Sequence, residues 1–184
     1  ADHFVCLSDF AEAEQYLAAA KKAERIGLAL AADGTGLVGA AICLGREQIA
    51  YIPAEGFMTE AYLAERLKDL CLTCKTAVFD LKQIIHLLDL PTGDGAWRKR
   101  LTDCGIAAYL LNPLTGSYPA EDIAKNYLDL LIPSKEDLFG KKKPQAVRTE
   151  MPEQFFRYHC YIACTAFLAE EVLLSRLEET GMKD

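Results

Sequence analysis

Apolar residues recur along this chain with two different periods, and the changes between them mark out its elements. A short apolar run, FVCL, precedes SDFAEAEQYLAAAKKA, where Phe10, Ala13, Leu17 and Ala20 fall at helical spacing behind a capping Ser8. Three apolar runs follow, IGLALAA, GLVGAAICL and QIAYIPA, separated only by the turn-like DGTG and GREQ. Connections that short join antiparallel neighbours, so the three runs predict a β-meander. A helix from about Thr59 to Leu72 comes next, then a strand TAVF that runs straight into an amphipathic helix, DLKQIIHLLDL. Asp80, at that junction, is placed either to cap the helix or to hold a metal ion.

The second half reads as almost wholly helical. After the breaker PTGDG comes TDCGIAAYLLNP, a helix that Asn112 and Pro113 stop. SYPAEDIAKNYL predicts a helix with Pro119 in its first turn, and PSKEDLFG a short capped turn. GKKKPQAVRTEMP is polar, basic and proline-bearing, which predicts a loop. Pro152 then opens a long helix, apolar nearly all round in its middle and so expected to be buried on most sides. There is no internal repeat. Three antiparallel strands, a helix, a further strand and a helical second half predict an α/β fold, a mixed sheet covered by helices, in one domain over residues 1–184.

Composition narrows the possible partners. Hydrophobic residues make up 51% and charged residues 26%, ordinary for a soluble globular chain. No apolar run approaches the length that a membrane-spanning helix needs. The first residue is not Met, which fits a processed chain or a fragment of a longer one. With a net charge of -7 the surface as a whole repels nucleic acid, so any contact with DNA needs a local basic patch. Two clusters qualify: Trp97, Arg98, Lys99 and Arg100, where Trp97 could stack on a base, and Lys141, Lys142 and Lys143. The plain alternative, which the acidic total favours, is a solvated basic loop. Seven cysteines without a secretory signal point to reduced thiols in a cytoplasm. The Cys71–Cys74 CxxC ends a helix, where the dipole has the wrong sign to activate a thiol, so buried structural thiols are expected. A zinc site would need two further ligands, and Cys160 and Cys164 lie on a hydrophobic helix.

Five strings carry a resemblance: VFDLKQIIHLL, TDCGIAAYLLNP, DIAKNYLDL, DLFGKKK and LSRLEETGMKD, in that order. Together they resemble the 3'-5' exonuclease-type domain of bacterial DNA polymerase I, a family A polymerase, over nearly the whole chain. The resemblance implies a ribonuclease-H-like fold and a parent protein in the bacterial cytoplasm that binds DNA. It also implies intramolecular neighbours, the thumb and polymerase domains. Active members of that family hold two divalent ions, Mg²⁺ or Mn²⁺, about 4 Å apart with four carboxylates. Those carboxylates come from an Asp-x-Glu on the first strand, an Asp in the middle helix and a Tyr-x-x-x-Asp on the last.

Matched residue by residue, the family pattern falls on Ala31 and Asp33 in the first strand. With the family lysine on Lys82, Asp80 takes a neighbouring slot and Ile84 the ligand position. On the last helix Tyr161 takes the tyrosine position and Thr165 that of the aspartate, while a register on Tyr158 would place Ile162 there. Mg²⁺ requires oxygen ligands, which Ala, Ile and a lone Thr hydroxyl do not supply as a set. The resemblance therefore implies a domain that keeps the fold, holds no metal and has lost the reaction. Two other classes stay open: an active nuclease with ligands relocated among Asp33, Asp80, Asp103 and Glu170, and an adaptor that binds another protein. Asp103 reads as a second helix cap, and His86 and His159 as surface or core histidines.

Overall fold

A computed structural model describes residues 3–34, 36–91, 95–113 and 118–181. Parts of DGTG, PTGDG, SYPAEDIAKNYL and LSRLEETGMKD therefore lie outside the described residues. The three apolar runs of the first half form the expected meander: β2 (Arg25–Ala32), β3 (Leu37–Gly45) and β4 (Gln48–Pro53), antiparallel throughout. Only Arg46 and Glu47 separate the paired residues Gly45 and Gln48, a two-residue hairpin. β1 (Phe4–Cys6) adds to the β4 edge in parallel. β5 (Lys75–Val78) and β6 (Leu101–Asp103) extend the β2 edge, also in parallel, giving the order β1-β4-β3-β2-β5-β6.

The pleat sorts the LALA of β2 onto two cores. Leu28 and Leu30 point into one, built with α1 (Phe10–Lys21), α2 (Glu60–Thr73) and α3 (Leu81–Leu88). Ala29 and Ala31 point into the other, under the 28-residue α8 (Pro152–Glu179). Small residues on that face let a helix backbone approach closely. Gly27 marks the closest point, where a Cβ would overlap the carbonyl oxygen of Ala163 and the Cβ of Phe167. Around α8 pack α4 (Cys104–Leu111), α5 (Ala120–Leu128), α6 (Lys135–Phe139) and α7 (Pro144–Glu150).

Several local expectations change. α1 is capped by Asp9, whose carboxylate accepts the Glu12 N–H at 3.0 Å, and not by Ser8. Pro119 is the capping residue of α5 and precedes its first turn. GKKKPQAVRTEMP is no loop throughout: Pro144 starts α7, its fixed φ suiting a first turn whose N–H would have no helical partner. β6 was not legible in the sequence, since three residues between the 3-10 turn Ala96–Arg100 and α4 carry no period. Trp97 of that turn is 5% exposed and packs into the α1–α3 core, so it has no free face for a base. Its apolar ring outweighed the polarity of the string around it.

Candidate functional site

β5 pairs with β2 only from Arg25 to Gly27, so the β2 edge from Leu28 onward runs past the end of β5. A cleft of about 510 Å³ opens there between α3 and α8. Its walls are Ala29 and Leu30 from β2, Asp80, Gln83 and Ile84 from the start of α3, and Tyr158, His159 and Ile162 from α8. Glu121 and Lys135, from the first turns of α5 and α6, stand at its side.

Each carboxylate the sequence singled out has other work. Asp80 caps α3, accepting the Gln83 N–H at 3.1 Å. Asp103 caps α4 through Ile106 N–H and reaches Leu81 N–H with its other oxygen, both at 3.1 Å. Burial raises the Asp103 pKa against the opposing pull of those hydrogen bonds. Asp33 is not in the cleft wall; its side chain is 1% exposed and meets Arg148 Nη2 of α7 at 2.7 Å. Glu170 is fully buried two turns beyond Ile162, with Arg25 Nη1 3.6 Å from one oxygen. Among the described residues no three His, Cys, Asp or Glu side chains are grouped to hold a metal ion.

The positions matched to the family divide. Ile84 lines the cleft and is 2% exposed. Ala31 is fully buried in the core under α8 and is not in the wall, which Ala29 and Ala32 reach instead. On α8 the wall is made by Tyr158, His159 and Ile162. Tyr161 turns away to pack edge-on against Phe4 at 4.8 Å, and Thr165 is buried outside the wall. A helix turns 100° per residue, so a register three residues off faces nearly the same way in a sequence pattern but not against a flat sheet. The divalent pair of the active family does not fit this donor set: among the described wall residues only Asp80 and Glu121 are carboxylates, and Asp80 caps α3.

Two aromatic side chains do present polar atoms. His159 is 8% exposed, and its Nδ1 donates to the Phe155 carbonyl at 2.8 Å, which leaves Nε2 as the acceptor. Burial lowers its pKa to about 4, so the ring is neutral at pH 7. Burial also raises the Tyr158 pKa, aided by the Glu121 charge. Neither residue was marked as cleft-lining by the sequence, because aromatics at helical spacing read as core.

The basic strings separate too. Arg98 and Lys99 are exposed, whereas Arg100 donates through Nη2 to the Leu72 carbonyl near the end of α2. Lys141, Lys142 and Lys143 are exposed, with Lys142 Nζ 3.0 Å from Glu150. Burial pushes Cys71 up to about 12, and Cys74 is buried beside it, so the CxxC is part of the α2 core.

No protein-family model matches the chain, and no curated protein does. Solved structures do. The Pol1 POL domain from M. smegmatis, in complex with DNA primer-template and dNTP, superposes with a TM-score of 0.64 at 20% identity. It covers 97% of this chain, which spans 28% of that one. Escherichia coli RNase D, an exoribonuclease, gives 0.68 at 17% identity over 96% of this chain and 45% of its own. Brucella melitensis NrnC bound to pGG gives 0.59 at 18%, over 97% and 82%. The likenesses establish the fold, a ribonuclease-H-like α/β domain with a mixed six-stranded sheet. Among the described residues no helix is long and apolar enough to cross a membrane.

Proposed function

We propose that this chain is a 3'-5' exonuclease-like domain without nuclease activity, one domain of a cytoplasmic bacterial DNA polymerase I. It serves there as a structural platform for the thumb and polymerase domains and touches DNA only weakly, without sequence preference. The composition of the cleft carries this reading. The positions that the resemblance matches to carboxylates carry Ala31, Asp33, Ile84 and Thr165; of these only Ile84 lines the cleft, beside Ala29 and Ile162, and Asp33 faces a guanidinium elsewhere. Hard divalent ions need converging oxygens, so the chain binds no metal pair and activates no water. The exposed Lys141, Lys142 and Lys143 supply what phosphate attraction the acidic surface leaves.

Incubation with 3'-labelled single-stranded DNA and Mg²⁺ or Mn²⁺ tests this directly. The label is expected to stay at full length over hours. Shortening that an Asp80→Ala substitution abolishes would establish an active nuclease with relocated ligands and end the proposal.

One observation favours the adaptor reading beside it. Ile106, Tyr109 and Leu110 form a strip on α4 that is 55%, 46% and 43% exposed. A strip of this kind suits a protein surface. Light scattering of the wild type against an Ile106→Ser/Leu110→Ser variant, with the parent's polymerase domain added, reads whether that face holds a partner.

A further inference from the structure

Four residues lie in one row across the sheet: Phe4 pairs with Ile49, Ile49 with Cys43, and Cys43 with Gly27. Phe4, Ile49 and Cys43 all face α8. α8 touches both ends of this row, through Tyr161 on Phe4 at one end and Ala163 and Phe167 on Gly27 at the other. Cys164 lies between those contacts along the helix and packs into the same core, so it stands over Cys43. The two thiols share a hydrogen bond, which lowers the Cys164 pKa and, together with burial, raises that of Cys43. The Gly45 carbonyl oxygen, 3.2 Å from Cys43 Sγ, is an alternative acceptor for the same S–H. Cys43 is fully buried, while Cys164 is partly open to solvent and can be reached from outside.

We propose that Cys43 and Cys164 are a redox site, a thiol pair that a peroxide converts to a disulfide linking β3 to α8. The Cys164 thiolate attacks one peroxide oxygen and the O–O bond breaks, giving a Cys164 sulfenic acid and, with a proton, one water. Cys43 sulfur then attacks the Cys164 sulfur. The S–O bond breaks, the oxygen leaves as a second water carrying the Cys43 proton, and the S–S bond forms. Two thiols are oxidised by two electrons and one hydrogen peroxide is reduced to two waters. Placement separates this pair from the other buried thiols, and the exposed Cys6 lies on β1 beside Ser8. Cys71 and Cys74 are buried in the opposite core, and Cys160, one turn before Cys164, is fully buried.

The test uses the whole chain. The protein is treated with a small excess of hydrogen peroxide, unfolded, alkylated with N-ethylmaleimide and digested without reductant. The expected product is a peptide pair joined through Cys43 and Cys164, 2 Da lighter than its two free peptides and separated by dithiothreitol, with five of the seven cysteines alkylated. Cys164→Ser, at a partly exposed site, and Cys43→Ala should each lose it. The oxidised wild type should also melt about 5 °C or more above its reduced form, a shift that dithiothreitol reverses. The proposal falls if Cys43 and Cys164 both remain alkylated, or if the bridge forms between Cys160 and Cys164 or within the CxxC. Should Cys43→Ala fail to fold, Cys164→Ser decides alone.

Discussion

A carboxylate between a strand and a helix can either hold a cation or satisfy the first free N–H groups of the helix. At Asp80 the hydrogen bond to Gln83 N–H answers the second need, and the side chain next to it in the cleft is Ile84, which gives a metal nothing. Asp80→Ala should therefore cost about 1 kcal/mol of stability, the usual worth of a cap. It should leave Mn²⁺ binding and nucleic-acid processing unchanged; urea denaturation and a metal titration read the two. His159 allows a sharper test. Its folded pKa of about 4 lies below its unfolded value near 6.5, so between those pH values the unfolded chain binds the extra proton. Stability contributed by the neutral ring is then complete above pH 6.5 and is lost as pH falls towards 4, by about 3 kcal/mol in all. A His159→Gln variant should show a flatter loss over that interval when both are unfolded by urea at a series of pH values.

Among the elements, α7 shows how one residue can fix a segment the sequence left open. Its seven residues are tied down by the Arg148–Asp33 ion pair and by Val147, which is fully buried under α8. Arg148→Met should cost about 2 kcal/mol, below the full value of a buried pair because the Arg148 side chain is 46% exposed. Adding Asp33→Asn should restore part of it, which a double-mutant cycle in urea measures. The meander, α2 and α3 were legible because their periods are clean and their caps, Thr59 and Asp80, are of the preferred types. β6 and α7 were not, because each is held by partners distant in sequence: β6 by its ladder to Thr76–Val78, α7 by Asp33. Trp97 failed for the same reason in reverse, since the charges beside it gave no sign that its ring would turn inward.

Over the whole molecule, the strand and helices that build the cleft were legible in the sequence, but the face that α8 turns to it was not. That the last helix carries no aspartate at the family position follows from either alignment, but which of its faces meets the cleft depends on how α8 lies on the sheet. The contact of Gly27 with Ala163 and that of Phe4 with Tyr161 set this rotation, and both pair residues more than a hundred positions apart. The rotation makes Ile162 and not Thr165 the residue that shares the cleft with Ile84. Placing carboxylates at both wall positions should therefore add metal ligands to the cleft. An Ile84→Asp/Ile162→Asp variant should bind Mn²⁺ measurably by electron paramagnetic resonance, since the two new carboxylates would join Asp80 and Glu121 on one cavity. Ile84→Asp/Thr165→Asp should not, and it should unfold more easily, because the second carboxylate would be buried outside the cleft without a counter-charge. If the Thr165 variant binds Mn²⁺ and the Ile162 variant does not, α8 lies on the sheet with its other face to the cleft.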